Sequence, residues 1–153
     1  MQDLTNEQKI DVLLHALDER YKSIHAIRDR VQNCSIWILG IFVTAGGWLL
    51  QSDAILECRE KLFFSGIIIV SVAVLRIFYL SDLERGFKTQ QRIQARIEDA
   101  LGLYKPGVFV TNTIYPSEWS QTGTRDGKGN FFSHNYLLIY LGTAIILLSI
   151  WLK

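Results

Sequence analysis

Charge is the scarcest property over much of this 153-residue chain. The stretches 36–50, 62–80 and 133–152 hold 54 positions and a single charge, Arg76; the other 30 charges share the remaining 99 positions. A water-soluble helix keeps one polar face, so three such stretches exclude an ordinary soluble enzyme. Basic surplus is missing too. A net charge of +1 gives no support for nucleic-acid binding, which needs a concentrated basic surface. Two cysteines rule out a disulfide scaffold, and there is no internal repeat or low-complexity tract. No nucleophile–base pair, paired-carboxylate site or metal set stands out, so neither catalysis nor a cofactor is expected.

What the chain does have is apolar length. Crossing about 30 Å of hydrocarbon takes roughly 20 apolar residues. The segments 62–80 and 132–152 meet this, and Cys34 and Ser35 extend the shorter 36–50 run without adding charge. The expected fold is an all-α membrane protein with three transmembrane helices (34–50, 62–80, 132–152) and two long cytoplasmic helical extensions. The opening 33 polar and charged residues do not read as a signal peptide. Three spans cannot split into matching halves, so the inverted repeat of a transporter is absent.

Lys and Arg counts set the expected orientation. Residues 1–33 carry five, residues 81–131 carry seven, residues 51–61 carry two, and Lys153 follows the last span alone. This places 1–33 and 81–131 in the cytoplasm, with the 51–61 loop and the C-terminal tip outside a bacterial inner membrane. Cys34 and Cys58 then fall on opposite sides, so an internal disulfide is excluded and Cys58 reads as a lone thiol open to pairing between subunits.

Residues 5–32 are expected to be helical, opening with a capping box in which Thr5 and Gln8 satisfy each other's backbone donors. Ile10, Leu17, Ile24 and Val31 recur every seven residues, joined by Leu13, Leu14, Tyr21 and Ile27 in a wide apolar stripe that must pack on something. No Gly or Pro separates this helix from the first span, so the two should be continuous. A second cytoplasmic helix should follow the second span directly, over 81–104, with Leu83, Phe87, Ile93, Ile97, Leu101 and Tyr104 as its apolar positions. Gly102 and Pro106 supply its stop signal. The two helices should pack antiparallel, within one subunit or between subunits. The 105–131 loop contains a loosely alternating stretch, 108–115, readable as a short strand or extended segment, and a glycine-rich turn over 122–130.

Several side chains invite a functional reading. Gly123–Gly129 superficially matches a phosphate-binding loop, but only three residues separate Gly123 from Gly127 and Gly129 follows Lys128 where Ser or Thr is wanted. His15 and His25 would lie about 15 Å apart on a helix, too far to share a metal. Arg76, four residues from the end of its span, is an intramembrane charge that can snorkel to the interface, and no span holds an acidic partner for a proton relay. His134 and Asn135 can hydrogen-bond between helices. Gly40, Thr44, Gly47 and Gly142 allow close helix approach, within or between subunits.

The arrangement resembles the small helical membrane effectors of bacterial anti-phage and nucleotide-signalling systems, the SLATT-type and Pycsar transmembrane effectors. The likeness lies in the architecture: an amphipathic helix entering a span, a hairpin to a second span, and a further cytoplasmic helix. The third span departs from the two-span SLATT plan. The resemblance implies self-association and membrane disruption on a cytoplasmic signal, and transfers no site residues. The expected function is a homo-oligomeric effector or gated pore in contact with membrane lipid. The alternative is a non-catalytic anchor presenting its cytoplasmic helices to a protein partner.

Overall fold

The computed structural model describes residues 5–53, 55–123 and 130–153. They form an all-α structure in which three helices are long and apolar enough to cross a membrane, which makes this a multi-pass membrane protein by length and composition. Helix α1 runs Asn6–Gln51 without a break. Helix α2, Cys58–Val74, passes through a π-helical segment, Leu75–Leu80, straight into α3, Ser81–Ala100. Helix α4 is Phe131–Leu152. The chain divides into two units. One takes the described residues 5–28 and 84–123. The other takes Asp29–Leu83 and Asn130–Lys153.

The helix ends follow from local chemistry. At the start of α1, the Thr5 N–H donates to Gln8 Oε1 at 3.0 Å and the Gln8 N–H donates to Thr5 Oγ1 at 3.3 Å, the reciprocal capping box. A second box opens α2, where the Glu57 N–H donates to Glu60 Oε2 at 3.0 Å. Helix α3 stops four residues short of the expected Tyr104, because Gly102 adopts φ +79° just past its end. The Leu103 N–H then reaches Glu98 O and the Gly102 N–H reaches Asp99 O, the paired bonds of a Schellman motif.

In the membrane-spanning unit, Val72, Leu80 and Ile139 form a buried cluster, with Ile38, Phe42, Ile68, Leu75 and Tyr136 packed around it. Four polar side chains of this unit bond back to their own helices. Ser35 Oγ donates to Val31 O, Thr143 Oγ1 to Ile139 O, Ser149 Oγ to Ile145 O, and Asn135 Nδ2 to Phe131 O. Such i−4 bonds satisfy hydroxyls and amides where lipid offers no partner. Lys153 Nζ donates to the Ser52 carbonyl, tying the end of α4 to the α1–α2 connection. Outward-facing Trp37, Ile41, Phe63, Phe64, Val70, Phe78, Leu137 and Leu148 are all exposed, an apolar surface suited to lipid rather than water.

In the other unit, α1 and α3 pair antiparallel within one chain. Arg20 Nη1 donates to Gln90 Oε1 at 2.7 Å, and Gly86 faces Ile27. The buried face of α3 matches the apolar positions of the sequence only in part: Phe87 is buried as expected, Ala95 and Glu98 are buried as well, and Ile93 is 36% exposed. Residues 108–115 form bends rather than a strand. The expected turn at 122–130 begins as a turn at residues 122 and 123, and this part is docked on α3. Gly123 is buried at φ +80°, and a Cβ there would lie 2.5 Å from Lys88 O and 2.9 Å from Arg92 N, so only glycine fits. Arg92 Nη2 also donates to Gly123 O at 3.3 Å. The remaining loop positions, 124–129, including Gly127, Lys128 and Gly129, lie outside the described residues.

Candidate functional site

The most developed polar site lies in the unit built from 5–28 and 84–123, around Glu98. Its side chain is only 4% exposed. Three elements converge on the carboxylate. From α1, the Tyr21 hydroxyl donates to Oε1 at 2.8 Å; from α3 itself, Gln94 Nε2 donates to Oε1 at 2.7 Å. From the turn after α3, the Tyr104 hydroxyl donates to Oε2. Tyr104 is placed there by the Schellman turn at Gly102, so the helix stop and the site share one cause. The Tyr115 N–H bonds Leu103 O at 3.2 Å, and the rings of Tyr104, Tyr115 and Trp119 follow at centroid separations of 6.1 and 5.6 Å.

Beside the carboxylate opens a cavity of about 450 Å³, lined by Tyr21, His25, Arg28, Gln91, Trp119 and Thr122 among others. This is within the size range of small-molecule pockets, which run from about 300 to 1,000 Å³. The hydrogen-bond donors holding Glu98 are two phenols and an amide, all neutral. They occupy three of the roughly four acceptor positions a carboxylate offers. That leaves one position on the buried carboxylate, and the cavity lining adds an imidazole at His25, a guanidinium at Arg28, an amide at Gln91 and an aromatic face at Trp119. Among the described residues no three His, Cys, Asp or Glu side chains come together to hold a metal.

The phenols register this environment. Burial, then hydrogen bonding with Tyr115 and Glu98, holds the Tyr21 hydroxyl well above the usual tyrosine range. Burial and the bond to Glu98 do the same for Tyr104. A raised pKa means the native state favours the protonated phenol. The stabilisation is therefore complete below about pH 10, the unfolded value, and falls as pH rises beyond it. Ultraviolet titration at 295 nm should show Tyr21 and Tyr104 still protonated near pH 11, where an ordinary phenol has ionised. Tyr21→Phe and Tyr104→Phe should each remove one of these late-titrating groups.

The sequence-derived candidates are distributed differently. Tyr21 joins the Glu98 cluster. Ile24 and Val31 are buried, Leu17 is half-buried, and Ile10 is 49% exposed. Gly142 is buried, where an added Cβ would lie 3.1 Å from Leu39 Cα, so it brings α4 against α1. Gly46, another of the small residues of the first span, makes the companion approach, with Ser149 Oγ 2.8 Å from where its Cβ would be. A Cβ added at Gly40 or Gly47 would meet nothing within 4 Å among the described residues, and Gly40, Thr44 and Ala45 line an open hollow flanked by Trp37 and Trp48. His134 is exposed; Asn135 is buried, with its Oδ1 unpartnered among the described residues. Arg76 stacks on tyrosines of α4, described below. His15 lies 3.8 Å from Glu19, and His25 lines the cavity.

Glu98 itself escapes a search for apolar stripes. The signal is one of spacing: Phe87, Gln91, Gln94 and Glu98 recur at intervals of four, three and four, the same intervals as Leu17, Tyr21, Ile24 and Arg28 on α1. A heptad seam filled mainly by polar residues on one helix and mainly by apolar ones on the other is a pairing with a built-in polar site. No protein-family model matches this chain, and no curated protein or solved structure matches it either.

Proposed function

We propose that this chain is a homo-oligomeric, non-catalytic effector or gated pore of the bacterial inner membrane. It perturbs the membrane when a cytoplasmic signal reaches the Glu98 cavity, in the service of anti-phage defence. One observation carries the reading: two helical runs, Asn6–Gln51 and Cys58–Ala100, each contribute both to the unit with the polar cavity and to a membrane span, without a break. A ligand that repositions α1 against α3 thereby acts on helices that continue into the bilayer. The architectural resemblance to defence effectors supplies the biological setting. The excess of Lys and Arg in 1–33 and 81–131 orients both segments to the cytoplasm.

Self-association is supported by what the single chain leaves uncovered. A Cβ at Gly40 or Gly47 would meet nothing among the described residues, Thr44 is exposed, and the open hollow beside Gly40 and Thr44 suits close approach of a second helix. The anchor reading draws support from another exposed surface: Ile10, Val12 and Leu14 on the first turns of α1 are 49%, 58% and 50% exposed. A soluble partner could cover them.

Inducible expression with a membrane-potential dye separates the two. The effector reading expects depolarisation and dye uptake under triggering conditions, abolished by Glu98→Ala. Unchanged potential, with the polar segments alone capturing a soluble protein, would favour the anchor.

A further inference from the structure

Arg76 is the only charge between residues 62 and 80. It is the second residue of the π-helical segment Leu75–Leu80, and its carbonyl accepts the Ser81 N–H five residues on. π-Helical turns within α-helices are rare and are found often at functional sites. The guanidinium lies 5.3 Å from the Tyr136 ring centroid and 5.5 Å from that of Tyr140, and Nη1 donates to the Tyr140 hydroxyl. Two rings and a hydroxyl orient the cation, but none of them neutralises it, and the side chain remains exposed.

A hollow of about 400 Å³ adjoins this group, lined by Ile69, Val72, Ala73, Ile77, Tyr140 and Thr143 as well as Arg76. Residues 69, 72, 73, 76 and 77 share one helical face, and the short side chains of Ala73 and Thr143 create the depression. From Ile69 to Arg76 it extends about 10 Å along the helix. It is apolar along most of its length, with a fixed cation toward the Leu80 end of the span. Leu80 is about 6 Å further on, within reach of the headgroup level for a side chain that snorkels.

We infer that this is a binding site for one anionic phospholipid of the phosphatidylglycerol class. The lipid phosphate pairs with the Arg76 fork, and the Tyr140 hydroxyl, while accepting from Arg76, keeps its own O–H to donate to a phosphate oxygen. An acyl chain fills the hollow toward Ile69. A net negative lipid is favoured over a zwitterionic one because its headgroup brings no cation to compete with Arg76. The hollow lies wholly in the membrane-spanning unit, so the assignment is independent of the Glu98 reading.

Native mass spectrometry of the full-length protein in detergent, titrated with phosphatidylglycerol and phosphatidylcholine, tests the site. One phosphatidylglycerol per chain should be retained with about tenfold preference, and Arg76→Gln should abolish that preference. Ala73→Leu keeps the charge but fills the hollow, and should lower retention of the lipid. Arg76→Lys, a point charge without the planar fork, should retain less than wild type. Soluble glycerol phosphate in excess should not displace the bound lipid. Equal retention of the two lipids, unchanged retention in Ala73→Leu, or displacement by glycerol phosphate would each overturn the assignment. Ala73→Leu decides the matter if Arg76→Gln does not fold.

Discussion

Glu98→Ala should open the unit built from 5–28 and 84–123 while leaving the membrane-spanning unit in place. The substitution removes the shared acceptor of Tyr21, Gln94 and Tyr104. A buried donor left without a partner costs about 1–3 kcal/mol. The adjoining cavity admits water to some of these donors, so a total loss of about 3 kcal/mol is expected rather than the full sum. Glu98→Gln keeps the shape and one acceptor oxygen, and a phenol can turn to accept from the new amide; about 1 kcal/mol is expected there. Hydrogen–deuterium exchange resolves the difference. In Glu98→Ala, amides of α3 and of the turn through Tyr104 should exchange faster, with those of α4 unchanged. Equal exchange in wild type and Glu98→Ala would mean that the carboxylate does not hold this unit together.

Much of this structure is visible in the order of residues, and the exceptions have physical reasons. The spans stand out because lipid removes the need for a polar face, which leaves long uncharged runs. Helix ends are legible wherever a side chain or a glycine has one conformational task, as at Thr5, Gln8 and Gly102. The Glu98 site is not visible to apolar counting because its seam on α3 is made largely of Gln91, Gln94 and Glu98, residues that usually face water. Ile93 shows the converse: it is apolar yet exposed, since it lies off the seam of Phe87, Gln91, Gln94 and Glu98. The π-helical segment has no local signature, for nothing in Leu75–Leu80 forces an extra residue into the turn. Docking of Gly123 onto α3 is a long-range event, and only the left-handed conformation there hints at it. The small residues could be recognised as packing positions, but sequence alone does not sort those used within the chain from those left open.

That sorting yields the second large effect. Gly142→Leu should disrupt the membrane-spanning unit, because its Cβ would stand 3.1 Å from Leu39 Cα, a backbone atom that cannot rotate away. Overpacking of this kind costs about 3 kcal/mol. Gly40→Leu and Gly47→Leu place their Cβ in open space among the described residues, and each should leave stability in detergent nearly unchanged, within about 0.5 kcal/mol of wild type. Gly40→Leu also fills the hollow beside Trp37 and Trp48, where a neighbouring copy would seat, and Gly47→Leu, seven residues on, bulks the same helical face. Measuring the mass of the full-length protein in lipid nanodiscs therefore tests the account most directly. Wild type should assemble as several copies, and Gly40→Leu with Gly47→Leu should reduce it to a folded single chain. A wild-type protein that is already a single copy, or an assembly indifferent to both substitutions, would contradict it.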